Sequence, residues 1–332
     1  ALFNLGAHEF TTMFHDGRLE ADPTRPSGIR TPLGTEMVQG FASVLSAQSM
    51  FPVLSPDEMA GHYTESDVAR AVRQGFLTGE DGAWSLISAR VADIKEYQSA
   101  FEQINGPGHS VTFTDISDVI AEFIAFEWRA DDSPFDQYLR TGEPLPKAAH
   151  LGMSLFYGKA QCSTCHAGQF QTDHDFHAIA LPQVGPGKSA RFETHARDEG
   201  RLRVTGNPAD AYKFRTPSLR NIAQTAPYGH NGAYATLEAM IRHHLDPVAS
   251  LKAYNVAQLV LPDLPNSQDF RATLDPDEQA AIAAANELSP SNLSETEIIQ
   301  IVAFLNALSD TASLAGKLGV PQTVPSGLSV DQ

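Results

Sequence analysis

Two cysteines and a histidine near the middle of the chain have the spacing of a covalent haem attachment site. They lie in the run Cys162-Ser163-Thr164-Cys165-His166. The two thiols are one helical turn apart, so each can form a thioether bond to one vinyl group of the same porphyrin. The imidazole that follows then becomes an axial ligand of the iron. We therefore predict one haem c held by Cys162, Cys165 and His166.

Two other kinds of site use similar residues. A redox-active dithiol places Cys-x-x-Cys after a strand in a βαβ unit, whereas here a helix is predicted before the motif. A zinc site would add His174 and His177 to the two cysteines, but the intervals miss the usual finger spacing. Both cysteines of the chain lie in this one run, so no thiol is left for a disulfide. Haem is the favoured interpretation.

A six-coordinate haem needs a second axial ligand from the opposite face of the porphyrin. One predicted helix, over 236–246, carries three residues that could bind iron: Met240, His243 and His244. Met240 and His244 are one turn apart on the same face of that helix. The periodicity alone does not choose among the three.

The composition limits the class of protein. The 332 residues are 42% hydrophobic and 19% charged, which is enough chain for two globular domains. A formal net charge of −17 argues against nucleic acid as a partner. No run approaches the ~20 apolar residues of a membrane-spanning helix, and the start of the chain lacks the features of a signal peptide. We expect a soluble, extracytoplasmic chain from which any export signal has already been removed.

Helical periodicity dominates, so we predict a mainly α fold. Helices are predicted over 65–77, 84–104, 115–130, 147–158, 236–246 and 294–309. The helix at 115–130 places Ile116, Val119, Ile120, Phe123 and Ile124 on one face. Between the helices we predict a linker over 140–146, long ordered loops over 167–233, an insertion over 250–292 and a surface tail over 321–332.

With the haem motif in place, the chain resembles the diheme cytochrome c peroxidase family, which includes the MauG type of maturation enzyme. The resemblance covers nearly the whole sequence and is carried by several runs in a fixed order. These runs are Phe14-His15-Asp16-Gly17-Arg18, Pro56-Asp57-Glu58-Met59, Ser133-Pro134-Phe135-Asp136-Gln137-Tyr138-Leu139, Asp198-Glu199-Gly200-Arg201, Lys213-Phe214-Arg215-Thr216-Pro217-Ser218-Leu219-Arg220-Asn221 and Thr225-Ala226-Pro227-Tyr228-Gly229-His230-Asn231-Gly232.

The resemblance implies two cytochrome c-like haem domains. Residues 1–140 would form part of an N-terminal, peroxidatic domain, and residues 141–332 a C-terminal electron-transfer domain that holds the haem at Cys162 and Cys165. The family's first Cys-x-x-Cys-His would lie before Ala1. Either a segment or partner chain carries that second haem, or this member has lost it, and we favour the first alternative.

The resemblance also implies roles for individual residues. His244 stands where relatives place the distal ligand of the second haem, as Met in the peroxidases and Tyr in the MauG type. Bis-histidine ligation gives a lower reduction potential than a Met ligand. Gln48 and Glu58, with Pro52 between them, match the family's peroxide pocket, where Glu58 would act as general acid and base. His15 occupies the place of a Trp in many relatives, and its expected role is proton management or a buried hydrogen bond.

A calcium ion is also expected from the resemblance, bound by the backbone carbonyls of Thr225 and Pro227. The leading prediction is a periplasmic enzyme that reduces hydrogen peroxide with electrons received at the His166/His244 haem. A small redox protein, a cytochrome c or a cupredoxin, would donate those electrons. The alternatives are a monohaem electron-transfer subunit, and oxidation of a partner protein or organic substrate in the manner of the MauG type.

Overall fold

The computed structural model describes residues 2–185, 195–259 and 269–330. Within these ranges the chain is mostly helical and its strands are two or three residues long. The predicted mainly α fold is therefore confirmed. Among the described helices, none has the length and apolar character needed to cross a membrane.

The chain divides into two compact units. The N-terminal unit comprises Leu2–Met13, Arg18–Arg129 and the chain from Ser313 onward, and the C-terminal unit comprises Phe14–Gly17 and Ala130–Ala312. Neither unit is a single continuous stretch of sequence. Phe14–Gly17 lies within the N-terminal part of the sequence but belongs to the C-terminal unit, and the chain from Ser313 onward belongs to the N-terminal unit.

The N-terminal unit pairs a small antiparallel sheet with a set of helices. Its elements are β1 (Thr12–Met13), β2 (Leu19–Ala21), β3 (Ile29–Arg30), α1 (Val44–Gln48), α2 (Asp67–Gln74), α3 (Ala83–Ala92), α4 (Lys95–Asn105) and α5 (Phe113–Glu127). The strand order is β1-β2-β3, with Thr12 opposite Glu20 and Ala21 opposite Ile29.

The C-terminal unit is helical, with one two-stranded sheet. Its elements are α6 (Pro134–Thr141), α7 (Lys147–Phe156), β4 (Phe176–His177), α8 (Leu202–Thr205), β5 (Phe214–Arg215), α9 (Leu237–Leu245), α10 (Pro247–Lys252), α11 (Arg271–Leu274), α12 (Pro276–Ala284) and α13 (Glu295–Asn306), and α14 (Thr311–Ala315) follows. A 3₁₀ turn at Cys162–Thr164 carries the first part of the haem motif. In the antiparallel pair β4-β5, His177 lies opposite Phe214.

Side-chain caps fix where the helices that frame the motif begin. Ser294 starts α13 with a capping box that includes Glu297, and Thr236 accepts a hydrogen bond from the backbone of Ala239 at the start of α9. Each cap satisfies amide groups that the first helical turn leaves without a partner. The sequence prediction placed each end of these two helices within three residues of its observed position.

The core of the C-terminal unit forms where α7 crosses α13. Phe156, Ile301, Phe304 and Leu308 are buried there in one apolar cluster. Gly152 lies at the crossing, where a Cβ atom would be 1.8 Å from the carbonyl oxygen of Gln300. The close approach of the two backbones therefore depends on glycine, and it sets the direction in which α7 leads to the haem motif.

Two predicted helices differ from the structure. The segment predicted as one helix over 84–104 is two, α3 and α4, because Ile94 has an extended backbone between them. Helix α5 has the predicted apolar face, but Ile120 and Phe123 on it are each 41% exposed. The residues that α5 buries lie on another face and include Phe113 and Ala121.

The boundary between the units also differs from the predicted one at residues 140 and 141. The chain passes into the C-terminal unit after Arg129, because Phe135 of α6 and Leu145 are buried in the same cluster as Phe304. The predicted linker over 140–146 is thus a connection inside one unit. The predicted insertion includes α10, α11 and α12, part of it outside the described residues, and the predicted tail is mostly exposed over 321–330.

The crossing at Gly152 gives a direct test of this packing. Gly152→Ala should lower the free energy of unfolding by about 1–3 kcal/mol, because the added methyl group forces the two helix backbones apart. Chemical denaturation of the haem-loaded protein would measure the loss. Leu151→Ala, at a position 40% exposed on the same helix, should change stability by no more than about 0.5 kcal/mol. Equal effects of the two substitutions would contradict the tight crossing.

Candidate functional site

The predicted haem-binding residues follow α7 directly. The 3₁₀ turn at Cys162–Thr164 is continued by a hydrogen bond of 2.9 Å from the His166 backbone amide to the Cys162 carbonyl. Both cysteines are free thiols and half-buried. Burial raises the pKa of the Cys162 thiol to about 11, whereas reactive dithiols and thiolate ligands have lowered pKa values. A thiol with a raised pKa is protonated at neutral pH, which does not favour the reactive-dithiol alternative.

His166 and His244 face each other, with their ring centroids 6.5 Å apart. The Nδ1 atom of His166 lies 3.1 Å from the Gln171 carbonyl oxygen, and that of His244 lies 2.8 Å from the Met240 carbonyl oxygen. These contacts assign the ring proton to Nδ1 in each case and leave Nε2 as the nitrogen available to a metal. Metal–imidazole bonds of about 2 Å on each side give a ring separation of this order. The donor set fits haem c.

The two facing imidazoles are also in the correct charge state for metal binding. Burial lowers the pKa of His166 to about 4, and repulsion from a protonated His244 also lowers it. Burial likewise lowers the pKa of His244. Both rings are therefore neutral at pH 7, which is the form that coordinates a metal.

His243, the neighbour of His244, is a structural residue. It is fully buried, with Nδ1 3.0 Å from the Tyr234 hydroxyl and Nε2 2.8 Å from the Ile179 carbonyl oxygen. Both ring nitrogens are thus engaged within the protein. Burial lowers the pKa of His243 to about 3, so this ring stays neutral.

Met240, the third residue considered as a ligand, has another role. Its side chain packs against the apolar cluster that contains Leu181, Tyr228 and Tyr234. Its backbone carbonyl accepts the hydrogen bond from His244. The geometry thus separates the three residues that periodicity alone left open.

The four residues considered for the zinc alternative are not grouped as one set of metal ligands in the structure. Among the described residues, the Cys, His and carboxylate ligand atoms that lie within 4.8 Å of one another are those of Cys165, Asp173 and His177. Cys162 and His174 are not part of this group. The sequence did not predict Asp173, because a single carboxylate in a loop has no spacing to other residues that would mark it as a ligand.

The residues predicted for the peroxide pocket lie in the N-terminal unit. Gln48 is the last residue of α1, and its side-chain carbonyl oxygen is buried with no hydrogen-bond partner among the described residues. A buried polar atom in that state calls for a ligand or water as its partner. Pro52 starts a 3₁₀ turn, and Glu58, six residues later, has an exposed side chain. The buried oxygen of Gln48 is thus placed as expected for a residue that lines a pocket, whereas the side chain of Glu58 is exposed to solvent.

His15 lies in the C-terminal unit, in a cluster that the sequence did not predict. Its Nε2 atom is 3.2 Å from a carboxylate oxygen of Asp198, and its ring is 5.3 Å from that of His230. His230 stacks on Phe214 with centroids 3.6 Å apart. Burial alone would raise the pKa of Asp198, but hydrogen bonds from His15 and the Gly200 backbone outweigh it and lower the pKa to about 2. His15 therefore faces a permanently charged carboxylate.

Two backbone contacts hold His15 in this cluster. The Arg215 amide donates to the His15 carbonyl oxygen at 2.8 Å, and the Arg201 guanidinium donates to the Gly17 carbonyl oxygen at 3.0 Å. A Cβ atom on Gly17, which has φ +71°, would lie 2.4 Å from that guanidinium. The segment Phe14–Gly17 is thereby fixed to the C-terminal unit.

The two residues expected to bind calcium are close in sequence and lie near the surface. Thr225 is half-buried and its hydroxyl donates to the Ile222 carbonyl oxygen at 3.2 Å, while Pro227 is exposed. Calcium binding by Thr225 and Pro227 therefore stays a prediction.

Comparison with known proteins points to one family. Residues 1–143 match the sequence model of the di-haem cytochrome c peroxidases. The chain is 29% identical over 279 residues to the cytochrome-c peroxidase IdrP1 of Denitromonas iodatirespirans, covering 77% of this chain and 65% of that protein. It is 28% identical over 210 residues to the methylamine utilization protein MauG of Methylorubrum extorquens, covering 62% of this chain and 50% of that protein.

A solved structure has the same fold. The diheme peroxidase BthA from Burkholderia thailandensis matches with a TM-score of 0.55 and 19% identity, over 91% of this chain and 67% of that one. The chain spans between half and 65% of the two curated relatives described above.

Buried neutral His243 predicts a pH dependence of stability. Its pKa is about 3 in the native state, against an ordinary value of 6.5 for an exposed histidine, so the unfolded chain binds the extra proton between these values. The free energy of unfolding should therefore fall as the pH decreases from 6.5, by up to about 1.4 kcal/mol per pH unit. Urea unfolding between about pH 6.5 and pH 4.5, above the range where carboxylates dominate, measures the slope. His243→Phe should flatten it, and an unchanged slope would contradict the assignment.

Proposed function

We propose that the chain is a member of the di-haem cytochrome c peroxidase family and an extracytoplasmic haem enzyme that reduces hydrogen peroxide, since residues 1–143 match that family's sequence model and the chain is similar to a peroxidase and to MauG. The observation that carries this proposal is the pair His166 and His244, which face each other 6.5 Å apart with Nε2 free for a metal. The covalent bonds would come from Cys162 and Cys165. When bound there, haem c supplies an iron that is reversibly reduced by one electron.

The residues of the C-terminal unit hold and protect this site. Backbone carbonyls of Gln171 and Met240 orient the two imidazoles, as hydrogen bonds to the outer ring nitrogen do for metal-bound histidines. Both residues are half-buried, and this burial keeps the two imidazoles neutral. If His166 and His244 both held the iron, the protein would leave no ligand position for a substrate, and the haem would supply electron transfer.

Peroxide chemistry is proposed for the N-terminal unit. Reduction of hydrogen peroxide takes up two electrons and two protons and releases two molecules of water. Glu58 would accept a proton from one peroxide oxygen and donate it to the other as the O–O bond breaks. The buried side-chain oxygen of Gln48 would accept a hydrogen bond from the peroxide. A second haem, from a segment or chain beyond this sequence, would complete that site.

For His15 we propose a role in proton management. Its contact with ionised Asp198 and its neighbour His230 give a cluster in which two imidazoles share one carboxylate. Imidazole and carboxylate groups in such close contact can pass a proton from one to the other. An indole at this position could donate a hydrogen bond to Asp198, but it has no second ring nitrogen that could accept a proton.

A second candidate function follows from the exposure of Glu58. An exposed carboxylate is a weak acid–base catalyst in the absence of a closed pocket, which favours a monohaem electron-transfer subunit. The haem count per folded molecule, from a pyridine haemochrome assay against protein mass, separates the two. Two haems and peroxide turnover support the enzyme, whereas one haem without turnover supports the subunit.

The ligand assignment is tested by substitution. His244→Ala should open one axial position and produce a high-spin component in the optical and EPR spectra, because the low-spin state needs two strong ligands. His243→Gln should lower stability but leave the haem spectrum low-spin. Met240→Leu should also leave it unchanged. A far-red charge-transfer band that disappears in Met240→Leu would instead assign a His/Met haem.

The role of Glu58 is tested by turnover. Glu58→Gln should reduce the rate of peroxide reduction by about 10²-fold or more, the scale of a lost acid–base group, with the haem spectra nearly unchanged. Asp57→Asn removes the adjacent exposed carboxylate and is the matched control. If both variants turn over peroxide like the wild type, Glu58 has no part in the reaction.

A further inference from the structure

Four ionisable side chains form a network beside Cys165. His177 lies between two carboxylates, with Nε2 2.9 Å from an oxygen of Asp173 and Nδ1 3.3 Å from an oxygen of Glu287. The other oxygen of Glu287 is 2.8 Å from Nζ of Lys213. The ring of His177 thus connects the two carboxylates, and Lys213 pairs with the second of them.

Three segments distant in sequence meet in this network. His177 belongs to β4, Lys213 precedes β5, and Glu287 follows α12 in the segment predicted as an insertion. The Glu287 amide donates to the Ala178 carbonyl oxygen at 2.9 Å, and the Ala178 amide donates to the Glu287 carboxylate at 3.2 Å. Glu287 therefore fastens the end of α12 to the strand that follows the haem motif.

The network reaches the predicted haem attachment point. Ligand atoms of Cys165, Asp173 and His177 lie within 4.8 Å of one another. Because Cys165 would bond the porphyrin through its sulfur, these charges lie near the edge of the macrocycle. At such a distance, in a partly buried setting, a unit charge is only partly screened by solvent.

Both carboxylates are ionised at neutral pH. Burial would raise the pKa of Asp173, but the hydrogen bond from His177 and others outweigh it and lower the pKa. The pKa of Glu287 is lowered in the same way, mainly by Lys213. The hydrogen bond with Glu287 in turn raises the pKa of Lys213.

We propose that Asp173, His177, Lys213 and Glu287 form a charged latch that sets the electron affinity of the haem attached at Cys165. The inference rests on the proposed haem and deepens it, since it names residues that tune the site without binding the iron. An anion near the haem stabilises its oxidised, more positive state, and a cation stabilises the reduced state. Asp173 and Glu287 thus lower the electron affinity, and Lys213 raises it.

Spectroelectrochemical titration of the haem-loaded protein tests the latch by the sign of two shifts. Glu287→Gln should raise the midpoint potential, and Lys213→Gln should lower it. Each change should alter the reduction equilibrium constant by about two- to tenfold, where a factor of ten is 59 mV for one electron. The double variant should return close to the wild-type potential, because the two charges removed are opposite.

Two controls separate charge from structure. Glu287→Asp keeps the carboxylate and should remain close to the wild type, and the thermal stability of each variant, measured in parallel, shows whether its fold has changed. If Glu287→Gln and Lys213→Gln shift the potential in the same direction, or if neither shifts it, the latch does not set the electron affinity. Should either variant fail to fold, the sign of the shift in the other decides the question.

The proposed function can fail while the proposal about the charged latch still holds. A wild-type chain that carries covalent haem but reduces no peroxide contradicts the proposed enzyme, while opposite shifts in the two variants still support the latch. A wild-type chain that carries no covalent haem overturns both proposals.

Discussion

The arrangement of the C-terminal unit depends on two neutral imidazoles that must face each other at the separation of a metal site. His166 comes from the turn after α7, and His244 from the end of α9. The crossing at Gly152 sets the course of α7, and the cap at Thr236 sets the start of α9. The crossing thus acts on the position of His166, and the cap acts on the position of His244.

Adjacent histidines have opposite roles because consecutive helical residues point about 100° apart. His244 faces His166, whereas His243 points into the core and bonds Tyr234 and the Ile179 carbonyl oxygen. The second histidine thereby anchors the helix that presents the first. A rotation of α9 that displaced His244 would also break both hydrogen bonds of His243.

The parts of the site that are local in sequence were predictable, and the parts made by distant segments were not. The spacing around Cys162 identified the haem motif, and amphipathic periodicity located α7, α9 and α13. The partner of His15 is Asp198, 183 residues away, and no spacing rule connects them. The exposed apolar residues of α5 show the same limit: periodicity finds a face, but burial depends on what packs against it.

The interleaving of the two units has a consequence for how this sequence can change. Phe14–Gly17 supplies His15 to the C-terminal unit, and the chain from Ser313 returns to the N-terminal unit, where Glu127 accepts hydrogen bonds from the amides of Lys317 and Leu318. No single break in the polypeptide yields two complete halves. A break in the chain between Arg129 and Ala130 would leave each unit without a segment that lies on the other side of the break.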